Sequence, residues 1–196
     1  MKFYLKNAFI PFFYLMFTAL TALSISMIDN SLLWLKIILW ILNIGLYASV
    51  VFLTSYKDGQ IAYGVRQTND KDREIIVRTG EYRELRLIEE YKPWKGFFHG
   101  FLATIPLIVI MIIHAIVISS DPTNLSVGRV AGFIYMTFYG PFSFGTVTAY
   151  TFFYTLVAIP CMITFAGVPY LLGAKKAEKN YAKAYDLQNR IYGDKK

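Results

Sequence analysis

The chain has 196 residues, of which 56% are hydrophobic and only 17% charged, with a formal net charge of +7. A soluble domain carries roughly 25% charged residues, spread over its surface; here they crowd into 57–95 and 175–196 and nearly vanish elsewhere. That separation excludes an ordinary soluble fold and points to a bilayer, where a charge at mid-depth is costly.

The basic excess comes with no DNA- or RNA-binding motif, so nucleic acid is not an expected partner. Basic loops instead set orientation and lie against the anionic headgroups of the bilayer. The single cysteine, Cys161, excludes an intrachain disulfide.

Lys2 and Lys6 precede an uncharged run over 7–28. A signal-peptide core is shorter, roughly 7–15 residues. The run therefore reads as a first span, 8–28, although Ala22, Ser24 and Ser26 resemble a cleavage site. Spanning the roughly 30 Å hydrocarbon core takes about 20 apolar residues. Pro11 lies near the start of this span, where a missing N–H does least harm. Asp29-Asn30-Ser31 is a polar turn, and the second span comes next at 32–55, making a helical hairpin.

Residues 56–95 carry nine basic and eight acidic side chains and form a charged loop. Its first part, 60–78, lacks proline and predicts a helix continuing out of the membrane. Thr79-Gly80 is a helix stop, with glycine at the left-handed position. Leu85, Ile88 and Tyr91 at helical spacing predict a short amphipathic helix over 81–91. Pro93 ends it, and Trp94 and Lys95 form an aromatic and basic interface pair.

The third span is 96–119, with Pro106 predicting a kink. Ser120 to Asn124 is a turn signal. Residues 130–174 contain no charge, a length that suits two crossings. The basic tail, with Lys175 and Lys176 directly after the membrane, instead favours one crossing at about 149–173. Residues 129–148 then become an interfacial or re-entrant helix, broken at Gly140, Pro141 and Gly145, with Pro160 interrupting the crossing after it. The expected fold is thus an all-α polytopic transmembrane bundle, one membrane domain over 1–196. It has about four spans plus that helix, with five spans as the alternative. Both termini and the loop face the cytoplasm, and the tail over 175–196 is helical near the membrane face.

The polar residues within the spans are few. Lys36 can snorkel to the interface, which makes it an anchor with Trp94, Lys95, Lys175 and Lys176. Asn43 is deep and must find a partner on a neighbouring helix or a ligand. His114 is an intramembrane ionisable group and so a site candidate; His99 sits at the inner interface. Together Asn43 and His114 make the candidate intramembrane polar site. Cys161 has no positive charge near it in sequence to favour a thiolate. Two histidines and no carboxylate within the spans spell out no metal site and no catalytic set, and no cofactor motif is present. Gly96-x-x-x-Gly100 and Gly128-x-x-x-Gly132 have the spacing of close helix contacts.

Glu89-Glu90 invites comparison with CAAX-type intramembrane proteases, whose pair is followed by Arg and then by Phe and His four apart. Here Tyr91 follows the pair, and Lys95 and Ile110 stand four before His99 and His114. The pattern fails. The segments Thr79-Gly80-Glu81-Tyr82, Glu90 to Gly96 and Tyr170-Leu171-Leu172-Gly173 resemble a pattern in small uncharacterised multispanning membrane proteins of Gram-positive-type bacteria. The resemblance implies this topology and a plasma membrane, and no activity. Two function classes stay open. One is a non-enzymatic accessory component of a membrane complex, with a protein partner at the cytoplasmic loop. The other is a small transporter or channel-like protein with its site in 128–173.

Overall fold

In the computed structural model, residues 2–124, 126–139 and 151–192 are described; Gly140, Pro141 and Gly145 lie outside them, as do the side-chain surroundings of positions 128 and 132. The elements are α1 (Lys2–Ser26), a 3-10 turn (Asn30–Leu32), α2 (Leu33–Thr79), α3 (Trp94–Ser120), α4 (Ser126–Tyr139) and α5 (Thr151–Tyr192). There is no strand among the described residues. Four helices, α1, α2, α3 and α5, are long and apolar enough to cross a membrane. The chain is an all-α transmembrane bundle.

Small and aliphatic side chains fill the bundle's centre. Leu15, Val51, Leu107, Met162 and Ala166 are buried there, one or more from each crossing helix. The outer surface is also apolar: Phe13, Leu20, Ile41, Leu53 and Ile116 are exposed. A water-facing protein hides such residues; lipid is the solvent that suits both surfaces.

At 47 residues, α2 is about 70 Å long, more than twice the hydrocarbon thickness. α5, at 42 residues, is about 63 Å. Both run past the apolar zone in the same direction and pack together as a two-helix stalk, where the rings of Tyr63 and Tyr181 meet at 6.1 Å. This end of the bundle, the polar end, also holds the start of α3 and, through Asn7, the start of α1. The segments after α1 and α3 lie at the far end. There the Asp29 carboxylate accepts from the Ser31 N–H and Asp121 accepts from the Thr123 N–H and hydroxyl.

Gly80 ends α2 with φ of 71°, the left-handed conformation that glycine adopts without strain. The sequence predicts a helix over 81–91, and here the structure corrects it. The segment is non-helical apart from a turn at 87–89. Geometry supplies the reason. From Gly59 to Thr79, α2 climbs about 30 Å, and 80–93 must come back down to α3. As a helix those residues would cover about 21 Å; extended, they reach about 46 Å. Only the extended form closes the connection.

The 14 described residues of α4 make about 21 Å. Phe138, near its end, meets Tyr47, and Tyr47 also meets Phe165 of α5. About four turns of α5, residues 151–165, therefore lie on the far-end side of the level α4 reaches. α4 enters the bundle from the far end, and its described residues reach the level of Tyr47. α3 ends and α5 starts at the far end, and the α5 tail packs beside α2 at the polar end, so among the described residues α5 supplies the crossing in 130–174 and the five-span alternative does not fit. Over its described residues, Thr151–Tyr192, α5 runs unbroken through Pro160 and Pro169 into the tail.

Candidate functional site: the junction of bundle and stalk

The polar residues at the far end are absorbed by packing. Asn43 donates from Nδ2 to the Thr18 carbonyl at 2.9 Å and accepts from the Thr21 hydroxyl. Thr137 of α4 donates to the Thr18 hydroxyl at 3.1 Å, and the Trp40 indole donates to the Thr137 carbonyl at 3.0 Å. This small network ties α1, α2 and α4 together. Lys36 is buried and donates to the Ser26 carbonyl at 3.2 Å, closing the end of α1. His114 is buried on α3, with no hydrogen-bond partner among the described residues. Neither Asn43 nor His114 lines the cavities described below.

The polar end is built differently. α2 and α5 cross at two glycines. A Cβ on Gly59 would overlap the Tyr170 carbonyl, and one on Gly173 would overlap the Tyr56 carbonyl. Gly96 of α3 lies under the Tyr170 ring, and Gly100 faces the backbone of Ile163 at 2.8 Å from where a Cβ would stand. Three helices converge on Tyr170. Its ring stacks on Tyr91 at 5.6 Å and meets His99 edge-on at 6.3 Å. Tyr91 meets Tyr63, which meets Tyr181. An aromatic chain thus runs from the stalk into the bundle.

The return segment 80–93 is pinned to α2 by one buried amide. Asn69 accepts from the Arg86 N–H at 3.1 Å and donates to Glu90 at 2.9 Å. Arg73 adds a 2.8 Å ion pair to the same Glu90 oxygen, and the Tyr91 N–H reaches the Ala62 carbonyl at 3.0 Å. Burial pushes the Glu90 carboxyl up. The hydrogen bonds from Asn69 and Arg73, with the Arg73 and Arg66 charges, outweigh it and hold the group below the usual carboxylate range. Burial pushes the Tyr91 phenol up. Lys95 is buried and turns back, donating to the carbonyls of Ile88 at 2.7 Å and Glu90 at 2.5 Å. Trp94 is half exposed, on the bundle's rim. Lys175 and Lys176 are exposed, and the Lys176 ammonium stands 5.9 Å from the Tyr56 ring centre.

Beside this junction lies a cavity of about 270 Å³ lined by Asn7, Asp58, Ile61, Ala62, Glu89, His99 and Tyr170. No group of three or more His, Cys, Asp or Glu side chains able to hold a metal occurs among the described residues. No family model, curated protein or solved structure matches the chain. The junction itself is therefore what bears on function. Of its residues, Asn69, Tyr63 and Asp58 carry no local sequence signal. Tyr170 and Gly173 fall within a segment legible only as the end of a span. Helical periodicity could have placed Gly59 and Tyr63 on one face of a long helix, but not what that face meets.

On the stalk, a groove of about 530 Å³ runs between α2 and α5, lined by Gln67, Lys71, Glu178, Tyr181, Tyr185 and Gln188 among others. Tyr82, Val77 and Tyr185 are strongly exposed nearby in the same polar region. Ordinary solvated helix faces carry charges and short polar groups; bulky apolar and aromatic side chains left open in this way are characteristic of interaction surfaces.

Proposed function

We propose that this chain is a non-enzymatic accessory component of a membrane complex, in which the bundle is the anchor and the stalk is the docking platform. The observation that carries this reading is the paired extension of α2 and α5 beyond the apolar zone. It is braced by the return segment and carries a groove with exposed Tyr185 and Lys71. Building and bracing such a projection serves contact with something outside the bilayer. The basic loop and tail share this end, so the positive-inside rule puts the stalk in the cytoplasm. With the resemblance to small bacterial multispanning proteins, that supports a bacterial plasma membrane.

The test is affinity purification of the tagged chain from native membranes. A partner should co-purify in fixed ratio and be lost when Tyr185→Ala and Lys71→Glu are combined. A clean monomer from the wild-type chain would overturn the reading.

A transport reading draws on the sequence breaks at Gly140, Pro141 and Gly145 and on His114, buried within α3. Such interrupted elements accompany binding sites in transporters. It predicts cation or proton flux in liposomes containing the purified chain alone, abolished by His114→Ala; absence of flux removes it.

A further inference from the structure

On the lipid-facing side of the bundle, α2 and α5 diverge on the membrane side of their glycine crossing. The space between them is a groove of about 610 Å³, lined by Ser49, Phe52, Leu53, Phe165, Val168 and Pro169 among others. That volume lies in the range of ligand sites, roughly 300–1,000 Å³. Phe52, Leu53 and Val168 are exposed, so the groove opens outward, toward acyl chains.

Its polar-end boundary is what singles it out. Phe52 stacks on Tyr56 with 5.9 Å between centroids and 12° between planes. Tyr56 carries the Lys176 ammonium over its ring. From groove to cation the contacts are continuous. Lys57 and Lys175, both exposed, are the first charged residues after the apolar stretches of α2 and α5. The nearest carboxylates on these helices line other cavities, Asp58 the junction cavity and Glu178 the stalk groove. From Ala48 to Tyr56 the rise is about 12 Å. One leaflet of a roughly 30 Å core is about 15 Å deep. An apolar slot one leaflet deep, with cations at its headgroup end and no carboxylate lining it, matches one kind of molecule.

We infer that the α2–α5 groove is a binding site for an anionic phospholipid, whose acyl chain lies against Phe52, Val168 and Pro169 and whose phosphate meets Lys176. The Tyr56 phenol can donate to the phosphate as well. Bulk bilayer contact would need no such arrangement; a retained lipid would also bridge the two helices that form the stalk.

Native mass spectrometry of the purified chain, offered phosphatidylglycerol and phosphatidylcholine in equal amounts, tests this. The wild type should retain phosphatidylglycerol by about tenfold over phosphatidylcholine. Lys176→Gln should lower that preference about fivefold, the weight of one lysine near an anionic surface. Lys179→Gln, farther along the tail, should leave it unchanged. Ser49→Trp, which fills the groove, should lower retention of both lipids. Should that variant fail to fold, Lys176→Gln, a substitution on an exposed helix turn, still decides. Equal retention of the two lipids by the wild type would overturn the site. So would a preference unaltered by Lys176→Gln, or full competition by water-soluble glycerol phosphate without an acyl chain.

Discussion

Asn69 is a side chain whose two ends do different work. Its carbonyl oxygen takes the Arg86 N–H and its amide donates to Glu90, so a single residue holds the return segment at two points. Asn69→Leu removes both bonds, at a cost of about 1–3 kcal/mol in all. Limited proteolysis between Tyr82 and Lys92 should accelerate in this variant while the bundle stays protected. Glu90 adds a pH dependence with a definite sign. Its carboxyl is held below the usual range in the folded protein, so its contribution is fully present above the unfolded carboxylate value of about 4.3. It is lost as pH falls through the lower folded value. Acidification into that window should release the return segment, read as the same proteolytic acceleration, and Glu90→Gln should show the released behaviour already at neutral pH. Asn43 belongs to a drier setting. Asn43→Leu should lower thermal stability in detergent by about 1 kcal/mol, the scale of one interhelical hydrogen bond in a membrane; unchanged stability would refute its packing role.

Elements meet here through missing side chains. Gly59 and Gly173 let the backbones of α2 and α5 touch at carbonyls. The neighbouring atoms are main chain and cannot rotate away. Gly59→Ala and Gly173→Ala should each destabilise by about 1–3 kcal/mol, measured as loss of the folded fraction in a detergent titration. Gly45→Ala is the control, because no atom stands within 4 Å of its added methyl; it should be neutral or slightly stabilising in its helix. The two crossing glycines also explain the lipid groove: helices forced together at one point diverge on its membrane side. At the same scale, the return segment shows a local preference overruled by distance. Its apolar spacing suits a helix, but the connection from Thr79 to Trp94 is longer than a helix of that length can reach.

Across the whole molecule, the start of α1, the return segment and the end of α5 share one end of the bundle. α3 ends and α5 starts at the opposite, far end, which keeps those three together. Single cysteines introduced at Tyr82 and at Lys183, in a Cys161→Ala background, should therefore react with an impermeant thiol reagent from the same side of sealed vesicles. Labelling from opposite sides would require a fifth crossing and refute this topology. Inaccessibility of both from outside intact cells would add that the shared side is the cytoplasm.

Chain composition by itself determined that this is a helical membrane protein. It also yielded the hairpin, the helix leaving the membrane, the stop at Gly80 and one crossing favoured in 130–174. All of these come from local rules: the length of apolar runs, the position of charges, and the backbone freedom of glycine. The tertiary structure decided what those rules cannot reach. That Lys95 turns back to backbone carbonyls, that Lys36 closes α1, and that Tyr170 gathers three helices depend on which faces meet, and facing is set by packing between segments distant in sequence. The paired stalk is the clearest case. Its two stretches fall in segments, 60–78 and 175–196, that each read from sequence as a solvated charged helix. Only their contact, through Tyr63 and Tyr181 and beneath them the glycine crossing, makes them one rigid projection with a groove to offer.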